Sequence, residues 1–397
     1  MPEASPTTGS PHDRALRSLL ADCRRLVSEQ GDAGDPRIAQ ALVAQIDALV
    51  DEPRRRFFEH LARDFQPDPQ QVLACAQAFA AAPDEAEHLI RLNQLAEPPR
   101  QELFRRLNRA PGGTAALVRM RRRLLERLPR QPRLAGVEHD LHHLLSSWFN
   151  PGFLQMRKVD WNSPAQLLEQ IIRHEAVHAI DGWDDLRRRL QPDRRCFAFF
   201  HPQLPDEPLI FVEVALVPEM AAAIAPLIDK KSQPLPPEAF EVAVFYSISN
   251  CQPGLRGVSL GNFLIKRVAE QLKQELPQLK TFCTLSPIPG FMDWLQRTQG
   301  DAADEALASP AELLRLAAHF LVHESTNPQG DPVARFHLDN GARLERLNPD
   351  ANVSAKGLKQ SAGLMVNYLY DLARIETCHH QFVKGRVVHS RAVAALL

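Results

Sequence analysis

Residues 242–275 read VAVFYSISNCQPGLRGVSLGNFLIKRVAEQLKQE. The β-branched and aromatic run from Val242 to Ser249 has the composition of a buried strand. A loop bearing Gly254, Gly257 and Gly261 follows it. Leu260, Leu264, Val268, Leu272 and Leu276 then recur every fourth position, which marks the buried face of a helix. A strand delivered through a glycine turn into a helix is a building unit of α/β domains. Free backbone N–H groups at such a helix start lie at the positive end of the macrodipole and favour phosphate. Arg256 and Lys266 add positive charge, although Lys266 equally suits an exposed position. The spacing is neither a Walker A loop nor GxGxxG, so these residues alone leave a plain glycine turn as an alternative.

Outward from this unit, the same character holds over residues 151–397. CFAFFHP (196–202), PLIFVEVALV (208–217), TFCTL (281–285), ARFHLD with RLERL (334–347) and LMVNYLYD (364–371) are strand candidates separated by helical segments. Residues 1–150 differ. From Asp13 to Ser147 apolar residues repeat at i, i+3, i+4 and i+7, punctuated by Asp35-Pro36, Pro67-Asp68-Pro69 and Pro83-Asp84. The expected architecture is therefore an all-helical bundle of about six to eight helices over 1–150, then a mixed α/β domain over 151–397. The basic run RMRRRLLERLPRQPR (119–133) reads as a solvated helix face, with a subunit or anion contact as the alternative.

Chemistry concentrates in TFCTLSPIPGF, residues 281–291. Ser286 ends a short apolar strand, Pro287 and Pro289 stiffen the chain beyond it, and GFMDWLQR opens a helix. A hydroxyl at such a corner is held still, as catalysis requires; a capping serine in a rigid loop is the plainer reading. Phe336-His337-Leu338-Asp339-Asn340-Gly341 reads as a strand ending in an Asn-Gly turn, with His337 on the face opposite Phe336 and Leu338. His174-Glu175-Ala176-Val177-His178 matches HExxH on an expected helix, yet no third ligand follows at a zinc-site spacing, so no metal is assigned to it.

Composition narrows the classes. With 44% hydrophobic residues in 397, the chain has ample material for cores. A formal net charge of −1 gives no global pull toward nucleic acid or an anionic membrane. No apolar run reaches transmembrane length, and MPEASPTTGSPHDRA has no signal-peptide core. The ending Ala395-Leu396-Leu397 is not a peroxisomal tripeptide, and Cys23, Cys75, Cys196, Cys251, Cys283 and Cys378 form no CxxC pair. A cytoplasmic location is expected.

SISNCQPGLRGVSLGNFLIKRV, TLSPIPGF and FHLDNGARLERLN followed by GLMVNYLYD closely resemble the malonyl-CoA decarboxylase family. The resemblance covers roughly residues 151–371 and implies a catalytic domain of GNAT acyltransferase fold behind a helical oligomerisation domain. It also implies a homotetramer, conversion of malonyl-CoA to acetyl-CoA and CO2, and no metal or biotin. Residue by residue, it implies that Ser286 and His337 are catalytic. Malonyl-CoA is then held by Arg256, Gly257, Val258, Ser259, Leu260, Gly261 and Asn262 together with that pair. The loop resembles the acetyltransferase (Q/R)xxGx(G/A) signature, except that Ser259 stands where a glycine is usual. In this reading His337, an imidazole that ordinarily titrates near neutral pH, is the general acid for carbon protonation. Ser286 orients the carboxylate or relays the proton, and Asn340 and Tyr368 are possible supports. An acyl-CoA-dependent acyltransferase, or a non-catalytic acyl-CoA-binding protein, would show the same binding loop.

Overall fold

The computed structural model describes residues 11–28, 36–260, 264–327 and 329–397. They divide into two compact units, Met1–Phe153 with Pro202–Leu204 and Gln252–Leu260, and Leu154–His201 with Pro205–Cys251 and Gly261–Leu397.

The first unit holds eight α-helices among its described residues: Pro11–Ser28, Pro36–Ala48, Asp51–Asp64, Pro69–Ala81, Ala86–Ala96, Pro99–Arg109, Gly113–Leu125 and Ala135–Trp148. Prolines open several of them, where a missing N–H goes unused. Asp68, for example, caps Pro69–Ala81 by accepting from the N–H groups of Gln70 and Gln71. Leu19, Phe57, Phe58, Leu61, Leu103, Phe104, Leu124 and Leu141 meet in one core. Each such side chain, once fully buried, contributes roughly 1.5–3 kcal/mol. The basic run is less solvated than its charge suggests. Arg121 is buried, bridging Glu138 at 2.6 Å and the Gly254 carbonyl at 2.7 Å.

The second unit is built on an eight-stranded mixed sheet. Its strands are β1 (Gln155–Val159), β2 (Arg194–Phe200), β3 (Ile210–Val217), β4 (Val242–Asn250), β5 (Thr281–Thr284), β6 (Ser286–Pro287), β7 (Arg343–Asn348) and β8 (Met365–Leu369). The order is β1-β2-β3-β4-β5-β8-β6, with β7 also on β8. Every pairing is antiparallel except β4 with β5. Helix Leu264–Glu275 supplies the crossover that a parallel pair requires, burying Leu264, Ile265, Val268, Ala269 and Leu272. Gly261 and Asn262 lie outside the described residues. Among the described residues no helix is long and apolar enough to cross a membrane.

The parallel pair opens the sheet. Val242 to Phe245 stand in register with Thr281 to Thr284, and the N–H of Leu285 makes a last bond to the Phe245 carbonyl at 3.0 Å. Beyond it the chain bends away, and Ser286 and Pro287 pair with Val366 and Met365 of β8 instead. The second half of β4, Tyr246 to Asn250, therefore has no β5 partner on that side, and a gap opens between two strands of one sheet.

Two expectations are corrected. Residues 334–339 are not a strand: Pro332–Asp339 is an α-helix. ARFHLD alternates with period two, but Asp331 accepts from the N–H groups of Val333 (3.0 Å) and Ala334 (2.9 Å), and Pro332 occupies the first turn. This capping outweighs the alternation and buries Ala334, His337 and Leu338 on one helical face. Asn340-Gly341 then ends the helix, with Gly341 at φ +81° where an added Cβ would meet the Ile375 carbonyl at 2.3 Å. The HExxH stretch is likewise not a continuous helix. Ala165–His174 stops at its first histidine, so His174 and His178 share no helical face.

Candidate active site

The gap between β4 and the bend at Ser286 forms a cavity of about 250 Å³. Its walls come from Phe245, Tyr246, Ser247, Ile248 and Asn250 of β4, Ile210 of β3, Ser286 and Pro287, and the helix residues Pro332, Val333, Phe336 and His337. Val177 closes one side. The lining is largely apolar, with a few polar groups converging on it, as ligand pockets commonly are.

Ser286 and His337, far apart in sequence, meet here. Ser286 Oγ lies 3.0 Å from His337 Nε2, and both side chains are buried. One residue holds the two elements together. Asp331 caps the helix of His337 through Oδ1, and its Oδ2 accepts from the Gly290 N–H at 2.9 Å, just past Ser286. Of the donors on the stiffened corner, Gly290 is thus taken by Asp331. The corner itself is fixed from below, where the Asn367 amide donates to the Thr284 carbonyl at 2.7 Å.

Two residues beyond the expected pair complete a chain of hydrogen bonds. Tyr370 Oη lies 2.8 Å from His337 Nδ1, and Ser286 Oγ donates to Thr284 Oγ1 at 2.9 Å. Thr284 Oγ1 also receives the Tyr368 N–H at 3.2 Å. Because Ser286 Oγ donates to Thr284, we assign the tautomer in which Nε2 carries its proton toward Ser286 and Nδ1 accepts from Tyr370. Tyr368 supports the imidazole by stacking, with ring centroids 4.7 Å apart at 27°. Asn340 turns back to the Phe336 carbonyl at 2.8 Å and is a helix-end group.

Burial sets the electrostatics. It pushes His337 down to about 3, so the imidazole is neutral at ordinary pH. This lies well below the near-neutral range expected of a free imidazole, and among the described residues burial is the cause. Burial also pushes Tyr370 and Tyr368 well above the usual phenol range. Tyr370 was missed because a tyrosine at the end of an apolar strand carries no local signal. Only the fold brings it to a histidine 33 positions away.

Arg256, Gly257, Val258, Ser259 and Leu260 belong to the first unit. Arg256 and Ser259 are exposed, and Val258 and Leu260 are buried. Gly257 has φ +83°, and its carbonyl lies 3.1 Å from His142 Nε2. Just before it Gly254 packs on the helix Gly113–Leu125, where an added Cβ would meet the Val118 carbonyl at 2.0 Å. Gly254 thus serves a close approach to an N-terminal helix, and Gly257 a left-handed backbone turn. The structure does not join this loop to the Ser286–His337 pair within one unit.

Comparison with known proteins gives one consistent family. The model of the malonyl-CoA decarboxylase C-terminal domain matches residues 152–312 and 301–397, and that of the N-terminal domain matches 65–149. The malonyl-CoA decarboxylase labelled mitochondrial from Anser anser anser is 36% identical, covering 79% of this chain and 73% of the relative. A crystal structure of malonyl-CoA decarboxylase from Rhodopseudomonas palustris superposes with a TM-score of 0.90 at 47% identity, covering 96% of this chain and 99% of that one. The one from Agrobacterium vitis gives 0.86 at 44%, with 96% and 99% covered.

Proposed function

The chain belongs to the malonyl-CoA decarboxylase family, and from that premise we propose how its buried site turns malonyl-CoA into acetyl-CoA and CO2. The observation that carries the reading is the hydrogen-bonded line of Tyr370, His337 and Ser286, with Ser286 and His337 in the wall of a largely apolar cavity. When the C–C bond to the carboxylate breaks, its electron pair moves to the α-carbon and the thioester carbonyl, giving an enolate. Apolar walls favour this step, because a charge spread over an enolate loses less on leaving water than a localised carboxylate does. Backbone and hydroxyl donors then steady the oxyanion, one such donor being worth roughly 3–4 kcal/mol.

The α-carbon takes a proton from Ser286, Ser286 takes one from His337 Nε2, and Nδ1 takes the Tyr370 proton. The negative charge passes from carboxylate to enolate and is quenched by one proton drawn from solvent along this line, so no phenolate is left where burial disfavours it. His337 begins and ends neutral, which suits its burial. The route draws on the chain's own groups and needs neither metal nor biotin. Arg256 to Asn262 are carried as the loop for the CoA end. Residues 1–150 are proposed as the helical oligomerisation domain and 151–397 as the catalytic domain.

A homotetramer is proposed as well. Its support is the helical pair Pro69–Ala81 and Ala86–Ala96, which buries no residue and leaves Leu73, Leu89 and Ile90 exposed. Six unpaired cysteines suit a reducing compartment, and the cytoplasm is proposed. The test of the site is acetyl-CoA and CO2 formation from malonyl-CoA with no acceptor present. Ser286→Ala and His337→Ala should each lower kcat/KM at least about 100-fold. Near-normal kcat/KM in both would place the chemistry elsewhere.

A further inference from the structure

Glu175 is a buried carboxylate that the relay does not use. It follows the last residue of helix Ala165–His174, and four donors converge on it. The N–H groups of Val177 and His178 reach Oε1, each at 2.8 Å. The hydroxyls of Ser247 and Ser249 reach Oε2 at 2.6 and 3.2 Å. Around this carboxylate the turn is held further. The Ala176 N–H donates to Ser249 Oγ at 3.2 Å, and Lys356 Nζ donates to the carbonyls of Ala176 and Val177 at 2.7 and 3.2 Å. Glu175, Ser247 and Ser249 are all buried. Two of the groups so fixed, Ser247 and Val177, form part of the cavity wall that also includes Ser286 and His337.

We propose that Glu175 is a positioning residue of this site, acting through Ser247: it directs the Ser247 proton away from the cavity and leaves that hydroxyl in the wall as a hydrogen-bond acceptor. The proposal rests on the reading of the cavity as the acyl-CoA site. A carboxylate accepts and does not donate, so the polarity of Ser247 is set by its partner. An acceptor at that point suits a donor on the ligand, such as a secondary amide N–H of the CoA arm, and disfavours the malonyl carboxylate.

Glu175→Gln is a near-isosteric probe of this. Its single oxygen is claimed by the Val177 and His178 N–H groups, which turns the NH₂ toward Ser247 and reverses the polarity of that hydroxyl. The variants are purified, checked by thermal melting and assayed with malonyl-CoA. Glu175→Gln is expected to lower kcat/KM at least tenfold, yet to lower it less than threefold when added to Ser247→Ala. Ser247→Thr restores the hydroxyl and recovers most of what Ser247→Ala loses.

A folded Glu175→Gln with kcat/KM within threefold of the parent overturns the proposal, as do independent, multiplying losses in the double variant. Should Glu175→Gln not fold, the serines decide. Both bond the same Oε2, but only Ser247 lines the cavity, so Ser247→Ala should lose at least tenfold and Ser249→Ala no more than a few-fold. Equal losses would make the carboxylate merely structural. Activity surviving in Ser286→Ala and His337→Ala instead strikes the reading of the cavity itself, whatever Glu175 does.

Discussion

Asp331→Asn tests the joint that brings Ser286 and His337 together. In the parent, Oδ1 accepts from Val333 and Ala334 at 3.0 and 2.9 Å, and Oδ2 accepts from Gly290 at 2.9 Å. An asparagine has one oxygen. If it keeps the helix cap, its NH₂ faces the Gly290 N–H; if it keeps Gly290, the helix loses its cap. A lost cap is worth about 1 kcal/mol. A half-buried N–H left facing another donor costs roughly 1–3 kcal/mol, so the expected destabilisation is about 1–3 kcal/mol according to which bond survives. For a domain of this size that lowers Tm by roughly 2–12 °C. The effect on catalysis is separate. The Ser286–His337 contact of 3.0 Å depends on the relation between corner and helix, and a shift of about 1 Å in a reacting group can cost 100-fold. Asp331→Asn is therefore expected to lower kcat between about tenfold and 100-fold, with a smaller change in KM. Calorimetry and steady-state CO2 release measure the two. A variant that melts within 1 °C of the parent and keeps kcat within twofold would show that Asp331 does not set the pair.

Tyr370→Phe removes only the hydroxyl on His337 Nδ1. Steady-state assays should show kcat reduced by roughly 100-fold with KM little changed, and unchanged kcat would remove Tyr370 from the relay. Because burial holds free His337 down to about 3, log kcat/KM should be flat between about pH 5.5 and 8. A limb near 6.5 that disappears in His337→Asn would contradict the neutral-imidazole relay. Stability should move in a stated direction. His337 and His178 are both held down to about 3 by burial, so below the ordinary value of 6.5 the unfolded chain takes up protons the folded chain refuses. Each should withdraw roughly 2 kcal/mol by pH 5, increasing down to about pH 3. Denaturant melts of His337→Asn should show a weaker decline over that window than the parent.

The fold was legible where one local signal dominated. Heptad-like repeats mark the helical half, and the apolar runs at 196–202, 208–217 and 242–249 all fall on strands. The corner was legible for a similar reason, because Pro287 and Pro289 just after Ser286 leave few conformations open. Helix Pro332–Asp339 was misread where two local signals compete: ARFHLD alternates like a strand, while Asp331-Pro332 is a capping pair just upstream. Weight on the cap would have decided it. Glu175 and Tyr370 lay out of reach for a different reason. Their partners, Ser247 and His337, become neighbours only through strand order and the bend at Leu285. The glycine loop shows the same limit, since no composition rule assigns Gln252–Leu260 to the unit of the N-terminal helices.

One break in strand pairing organises the second unit's chemistry. If β5 continued beside β4, Ser286 would be a ladder residue and the space beside Tyr246 to Asn250 would be filled. Instead β5 leaves after Leu285, and β8 takes over Ser286 and Pro287. The same strand β8 runs on to Tyr370, whose N–H bonds the Phe282 carbonyl at 2.8 Å. The strand that captures the serine therefore also places the tyrosine behind the histidine. The bend alone would leave an apolar slot; its coupling to β8 makes it a slot with a directed line of hydroxyl, imidazole and phenol at one end. A histidine held neutral by burial is a poor acid by itself. Placed between two hydroxyl groups it passes a proton without gaining a charge, which the apolar walls would resist.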